Sequence, residues 1–266
     1  MIYSSRDALR WCEQIIAAAI IFQTLEMFQL RATFGKRGVW RWQTIRREFV
    51  IFPAASHWIF DCLLDYPNFL WVLAARLLAA AGVLLTAAMP LYSVFLFVLF
   101  LSTLLVAVRW RGTFNGGSDY MTLIITLSLW IAACFESHAW VSEACLWYIA
   151  LQSCSSYFVA GLAKIKHRDW RTGKALARFM SIPTYNCPAA IQTVFRQSLS
   201  SSIVSWGIIL FECSFPLNFV HPSFSLVFIG CAFLFQLANV YVFGLNRFLF
   251  AWSASYPALY WCSHGV

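Results

Sequence analysis

Lys164 ends a long apolar run, and it is the side chain in this sequence best placed for acid–base chemistry. From Ala144 to Ala163 the chain carries no ionisable group other than Cys and Tyr side chains. That run is long enough to cross a bilayer core of about 30 Å at about 1.5 Å per residue. A lysine that acts as a base must spend time as the neutral amine, which an apolar environment favours. The alternative is a lysine that anchors the helix end by extending its ammonium to the polar surface.

Two carboxylates could serve such a lysine. Asp119 and Glu212 both fall in or beside apolar stretches, where an ionised side chain costs about 2.5–3.5 kcal/mol on insertion scales. Side chains kept at that cost usually have a partner or line a site. The alternative is that they join helices to one another by polar contacts. The residues alone leave both interpretations of Lys164 open; if it is a catalytic base, Asp119 and Glu212 are its candidate polar partners.

Glycines mark two further places where a ligand could approach the backbone. Asn115, Gly116 and Gly117 lead into Ser118 and Asp119 before an apolar stretch. Paired glycines there let backbone N–H groups reach an anionic oxygen at a helix N-terminus, and the alternative is an ordinary loop with a helix cap. Gly161, one turn before Lys164, leaves room for either a neighbouring helix or a flat ligand.

Composition places these residues in a membrane protein. Hydrophobic residues make up 61% of the 266 residues and charged residues only 11%, whereas an ordinary soluble domain carries about 25% charge. The fold class predicted is all-α, a polytopic helical bundle forming a single domain over residues 1–266. About eight apolar stretches are long enough to span a bilayer, at 9–30, 69–89, 91–108, 119–137, 140–163, 199–219, 222–243 and 246–262.

The two longest connections are expected to form interfacial or re-entrant helices. Segment 31–68 mixes tryptophans and arginines, as helices lying in the membrane interface do. Segment 164–198 contains Pro183 and Pro188, which forbid one continuous helix. Such a segment often folds back over a cavity, which we expect between the fourth, fifth and sixth spans.

Positive charge follows these connections. Most of the 19 Lys and Arg residues lie in segments 31–68, 109–118 and 164–198, and the turns near 89, 138 and 221 have none. The positive-inside rule therefore places those basic segments in the cytoplasm. The net charge of +8 indicates topology and attraction to anionic membrane lipid. Nucleic-acid binding is disfavoured because the basic residues are spread over separate loops. No Cys or His spacing predicts a metal site.

Four motifs follow one another along the chain. They are Asn115-Gly116-Gly117-Ser118-Asp119, Tyr157-Phe158-Val159-Ala160-Gly161-Leu162-Ala163-Lys164, Phe211-Glu212-Cys213-Ser214-Phe215-Pro216 and Gly244-Leu245-Asn246-Arg247-Phe248. In these motifs the chain resembles the HTTM family, which includes the membrane domain of vitamin K-dependent γ-glutamyl carboxylase and bacterial proteins that mature secreted peptide toxins. The resemblance covers most of the chain from about residue 100 onward, and residues 157 to 173 are its most specific part.

The resemblance implies a role for Lys164. In the carboxylase, the lysine of the Tyr-Phe-x-Ala-Gly-x-x-Lys segment deprotonates vitamin K hydroquinone, so a quinone or hydroquinone is the cofactor implied here. This chain has one extra residue between Lys164 and Asp169-Trp170, and it lacks a histidine that the carboxylase has near the segment matched to 115–119. The residues assigned to cofactor binding are Asn115, Gly116, Gly117, Tyr157, Gly161 and Trp170.

The function predicted is that of a membrane enzyme, dependent on a quinol, that modifies a small or peptide substrate in the bacterial inner membrane. The alternative is a non-enzymatic role, in which the chain is the membrane partner of a secreted peptide precursor or another small protein during maturation, immunity or export.

Overall fold

The protein is helical throughout the part of the chain that its computed structural model describes, residues 4–48, 54–85, 91–110, 116–185 and 187–264, with no β-strand among them. This confirms the predicted all-α class. The α-helices in chain order are α1 (Ser5–Gln29), α2 (Arg31–Phe34), α3 (Trp42–Ile45), α4 (Ala54–Leu64), α5 (Asn68–Leu85), α6 (Tyr92–Arg109), α7 (Gly116–Cys134), α8 (Ala139–Lys166), α9 (Arg168–Arg171), α10 (Lys174–Ser181), α11 (Ala189–Arg196), α12 (Ser198–Ser214), α13 (Pro222–Phe243), α14 (Asn246–Ser253) and α15 (Tyr256–Cys262).

Seven of the described helices are long and apolar enough to cross a membrane, and the chain is an integral membrane protein. They are α1, α5, α6, α7, α8, α12 with its 3₁₀ extension to Phe219, and α13. The eighth predicted span, 246–262, is not one continuous helix but two short helices, α14 and α15. Pro257 lies in the first turn of α15, and a proline there cannot continue the preceding helix. The turn expected near residue 89 lies outside the described residues.

The chain divides into two compact units. We call Leu9–Cys145 the N-terminal unit, and Met1–Ala8 together with Leu146–Val266 the C-terminal unit. Helices α1 and α8 each contribute residues to both units. The assignment of 1–266 to a single domain stays a prediction.

Segment 31–68 contributes to the core of the N-terminal unit. Phe34 and Trp42 are buried with Phe69 and Trp110 in one apolar cluster. The Trp42 indole N–H donates to the Asp61 carboxylate over 2.7 Å, and the Arg46 guanidinium donates to the same carboxylate over 2.6 Å. These bonds join α3 and the turn after it to α4, all within the segment. The apolar cluster makes Phe34 and Trp42 core residues.

Segment 164–198 of the C-terminal unit folds into short helices tied to α12. The Ser202 hydroxyl donates to the Thr172 carbonyl over 2.9 Å, and the Ser205 hydroxyl donates to the Trp170 carbonyl. Gly173 adopts the left-handed conformation, with φ 72°, and an added Cβ would lie 2.5 Å from the Ser201 backbone, so a glycine is required at this contact. As predicted, the segment breaks at its prolines, and the connection between α9 and α10 is held close to α12.

Candidate functional site

Helices α8 and α12 approach each other closely at Gly161. A Cβ atom added there would lie 2.8 Å from the Cys213 nitrogen and 2.9 Å from the Glu212 Cβ, both closer than real Cβ contacts. The space beside Gly161 is therefore occupied by a neighbouring helix, α12, and not by a ligand. Because residues three apart lie on one helix face, this contact brings Lys164 alongside Glu212.

Lys164 and Glu212 form a buried ion pair. The Lys164 Nζ lies 2.6 Å from each carboxylate oxygen. The Glu212 side chain is 3% exposed and that of Lys164 is 18% exposed. Removing two charges from water is costly, and the short contacts to both oxygens offset part of that cost. The ammonium is therefore directed at a carboxylate and does not extend to solvent as an anchoring lysine would.

The Trp170 indole covers the same ammonium. The Lys164 Nζ lies 5.2 Å from the ring centroid, within the range of a cation–π interaction. Trp170 is held in position by the hydrogen bond from Ser205 to its carbonyl. Lys164 thus has a carboxylate as one neighbour and an aromatic face as another.

The ion pair lines a cavity of about 210 Å³ within the C-terminal unit. Its apolar walls include Phe235 and the parallel rings of Phe248 and Trp252, whose centroids lie 5.1 Å apart. The lining residues are Ser156, Tyr157, Ala160, Lys164, Glu212, Phe235, Gln236, Asn239, Leu245, Phe248 and Trp252. They come from α8, α12, α13, α14 and the α13–α14 connection. The expected boundary of fourth, fifth and sixth spans was therefore wrong for this cavity, because α13 and α14 contribute and α7 does not.

A row of hydrogen-bonded polar groups crosses one side of the cavity. The Asn239 amide donates to the Gln236 carbonyl oxygen over 3.3 Å, and the Gln236 amide donates to the Tyr157 hydroxyl over 3.0 Å. The Tyr157 and Tyr256 hydroxyls lie 3.5 Å apart. Burial raises the pKa of Tyr256 far above its ordinary value, so its phenol stays protonated.

The structure brings together some of the predicted site residues and not others. Lys164, Glu212, Tyr157, Gly161 and Trp170 all lie in the C-terminal unit around the ion pair. Asp119 lies in the first turn of α7, in the N-terminal unit, and Glu212 is the carboxylate that pairs with Lys164. Gly116 and Gly117 begin α7, and Asn115 lies outside the described residues.

Sequence reasoning did not assign Gln236, Asn239, Phe248 or Trp252 to the site. The signal available was spacing, since Gln236 and Asn239 share one face of α13 and Phe248 and Trp252 share one face of α14. No group of three or more His, Cys, Asp or Glu side chains that could hold a metal ion occurs among the described residues.

The arrangement supports proton transfer. A proton on the Lys164 Nζ can pass to a carboxylate oxygen 2.6 Å away, and the resulting amine would face a small cavity with aromatic walls. Comparison with protein-family models, with curated proteins and with solved structures finds no match to this chain.

Proposed function

We propose that the chain is a membrane enzyme in which Lys164 acts as the base toward a ligand held in the 210 Å³ cavity. One observation carries the proposal: a partly buried lysine and its buried carboxylate partner both line a cavity with aromatic walls. Ionisable groups placed together in such a cavity are where proton chemistry is usually found in enzymes.

The carboxylate gives Lys164 a route to its neutral form. An ammonium cannot accept a proton, so Lys164 must first release one, and Glu212 is the acceptor in direct contact. The neutral amine can then take a proton from a ligand O–H in the cavity, while Trp170 excludes water from one side of the nitrogen. Glu212 thereby acts as a proton relay, and Lys164 is the group that touches the ligand.

The cavity suits a flat ring of one or two fused cycles. Its volume of about 210 Å³ is below the range of roughly 300–1,000 Å³ typical of drug-sized ligands. Phe235, Phe248 and Trp252 offer flat apolar walls for a quinone headgroup, and Tyr157 and Gln236 offer polar groups. A hydroquinone would supply an acidic phenolic O–H and reducing equivalents. Membership of the HTTM family, a small or peptide substrate and a bacterial inner membrane location belong to the same proposal.

An anaerobic titration of the purified protein with menadiol, a naphthohydroquinone, tests the proposal. We expect the bound ligand to show the absorbance of its phenolate, because Lys164 removes a proton from it. Glu212→Gln should bind menadiol and lose the phenolate signal. Glu143→Gln, which neutralises an exposed glutamate outside the cavity lining, is the matched control and should keep it.

The outcomes separate the two functional classes. Organic extraction of the purified protein should also recover a membrane quinone. A protein that yields no quinone, gives no phenolate signal and forms a stable complex with a secreted peptide precursor would support the non-enzymatic role instead.

A further inference from the structure

A second and larger cavity lies on segment 164–198. Its volume is about 470 Å³, and its lining residues are His167, Asp169, Trp170, Ala175, Arg178, Phe179 and Ile182. It is formed by α9 and α10 with their flanking residues, and it is open at the protein surface. Trp170 belongs both to this cavity and to the contact with Lys164, but the proposed proton transfer leaves the rest of it without a role.

The walls of this cavity combine an apolar surface with polar edges. Trp170 and Phe179 have ring centroids 5.9 Å apart, and Ala175 and Ile182 extend the apolar surface. Arg178 crosses from α10 to α9 by donating to the Asp169 carboxylate over 2.6 Å, and its side chain remains 71% exposed. Such a lining fits an amphiphile, with its apolar part against the rings and its polar part at the edge.

The surroundings of the cavity are cationic. Lys166, Arg168, Arg171 and Lys174 are exposed, and in the part of the chain that the structure describes none of them forms an ion pair with a carboxylate. Asp169 is the one carboxylate that the sequence contains between residues 164 and 211. An amphiphile held here would therefore carry a negative charge.

The position of the cavity indicates a lipid. It begins directly after α8 ends at Lys166, and α8 exposes Val159, Leu162 and Ile165 as it approaches that end. An exposed apolar helix face followed by Trp and basic residues is the pattern found where bilayer hydrocarbon meets the headgroup region. Anionic phospholipids are attracted to basic segments at that level.

We propose that this cavity is a binding site for an anionic phospholipid. The phosphate lies against Arg178 and the neighbouring cations, and the upper part of an acyl chain lies against Trp170 and Phe179. The site shares Trp170 with the Lys164 contact, but it uses neither Glu212 nor the smaller cavity, so it does not rest on the proposed enzyme function. An acidic peptide has the right charge, but the apolar helix face that leads to the cavity favours a lipid.

Lipid binding by the delipidated protein in detergent tests the site. We expect native mass spectrometry to show more retained phosphatidylglycerol than phosphatidylcholine of the same acyl chains, and phosphatidylglycerol alone to raise the unfolding temperature. Arg178→Gln should weaken phosphatidylglycerol binding about fivefold, since it removes a cation and leaves Asp169 facing the phosphate. Arg196→Gln removes an exposed arginine of α11 outside the lining and should change binding far less.

Ala175→Phe tests the apolar part separately, because its ring would occupy part of the cavity without changing any charge, and it should also reduce lipid retention. Equal binding of the two lipids by the wild type, or equal losses in Arg178→Gln and Arg196→Gln, would overturn the site. A fluorescent oligoglutamate peptide that binds through Arg178, and that phosphatidylglycerol does not displace, would show that the cavity takes a peptide.

Discussion

Two cations, one in each unit and both largely withdrawn from water, are stabilised in different ways. Lys164 in the C-terminal unit contacts a carboxylate and lines a cavity. Arg109 in the N-terminal unit is fully buried among aromatic rings, with its guanidinium carbon 5.3 Å from the centroid of Phe69 and 5.7 Å from those of Phe34 and Trp42. One of its terminal nitrogens donates to the Trp40 carbonyl over 2.6 Å, and among the described residues its other two nitrogens have no hydrogen-bond partner.

The difference shows that burial of a charge does not by itself indicate chemistry. The aromatic faces stabilise the guanidinium by cation–π interaction, but they cannot accept a proton, and arginine does not lose one in proteins. Lys164 has an acceptor in contact and space for a ligand beside it. Arg109 is therefore the structural member of the comparison, and Lys164 is the member with a proposed reaction.

Replacing Lys164 by arginine, and Arg109 by lysine, should give the largest difference in the phenolate signal. Lys164→Arg keeps the positive charge but cannot become neutral, so we expect the phenolate signal of bound menadiol to be lost. Arg109→Lys should leave that signal unchanged. Anaerobic titration of both variants, with size-exclusion chromatography to confirm folding, makes the comparison. Full signal in Lys164→Arg would remove the proposed role of Lys164.

Truncating Arg109 should affect the stability of the protein and not its chemistry. Arg109→Ala leaves a void among the rings and an unpaired Trp40 carbonyl, and we expect it to lower the free energy of unfolding by about 3 kcal/mol. Arg37→Ala, at an exposed arginine of the same unit, should change it by less than about 0.5 kcal/mol. Thermal unfolding in detergent measures both. Equal unfolding temperatures for the two variants would show that the contacts between Arg109 and the surrounding rings contribute nothing to stability.

A methyl group at the α8–α12 contact tests how the Lys164 site is positioned. Gly161→Ala places its Cβ within 2.9 Å of Cys213 and Glu212, so we expect a loss of about 1–3 kcal/mol, as for overpacking, and a weaker phenolate signal. Gly207→Ala on α12 meets no atom within 4 Å and should stabilise the helix by up to about 1 kcal/mol. If both substitutions stabilise the protein, close helix approach is not what positions Lys164.

The smallest expected effect concerns the reactivity of a buried thiol, that of Cys262. Burial raises the pKa of the Cys262 thiol to about 12. Below that pH it stays protonated and is a poor nucleophile. In single-cysteine variants we expect Cys262 to resist a maleimide at pH 7.5, whereas the exposed Cys62 reacts. Rapid labelling of Cys262 in the folded protein would show that burial alone does not suppress reactivity here.

Several features could be predicted from the sequence because they depend on consecutive residues. The stretch 222–243 was predicted as a span, and α13 occupies Pro222–Phe243, since hydropathy over about 20 residues reports a helix in a bilayer. The proline breaks in segment 164–198 were predicted for a similarly local reason. Stretch 246–262 was predicted as one span from its apolar composition alone. That prediction did not take into account the break in the helix at Pro257, and the stretch forms two helices.

The sequence by itself determined that this is a helical membrane protein, approximately where its long helices lie, and that Lys164 and Glu212 are ionisable groups in apolar surroundings. The tertiary structure alone decided that Glu212 pairs with Lys164, and that rings from α14 line their cavity. The physical reason is distance along the chain. The hydropathy of a stretch depends on residues that are adjacent in sequence. An ion pair or a cavity wall instead requires side chains from helices far apart in sequence to lie within a few ångströms, and this depends on contacts such as the one at Gly161.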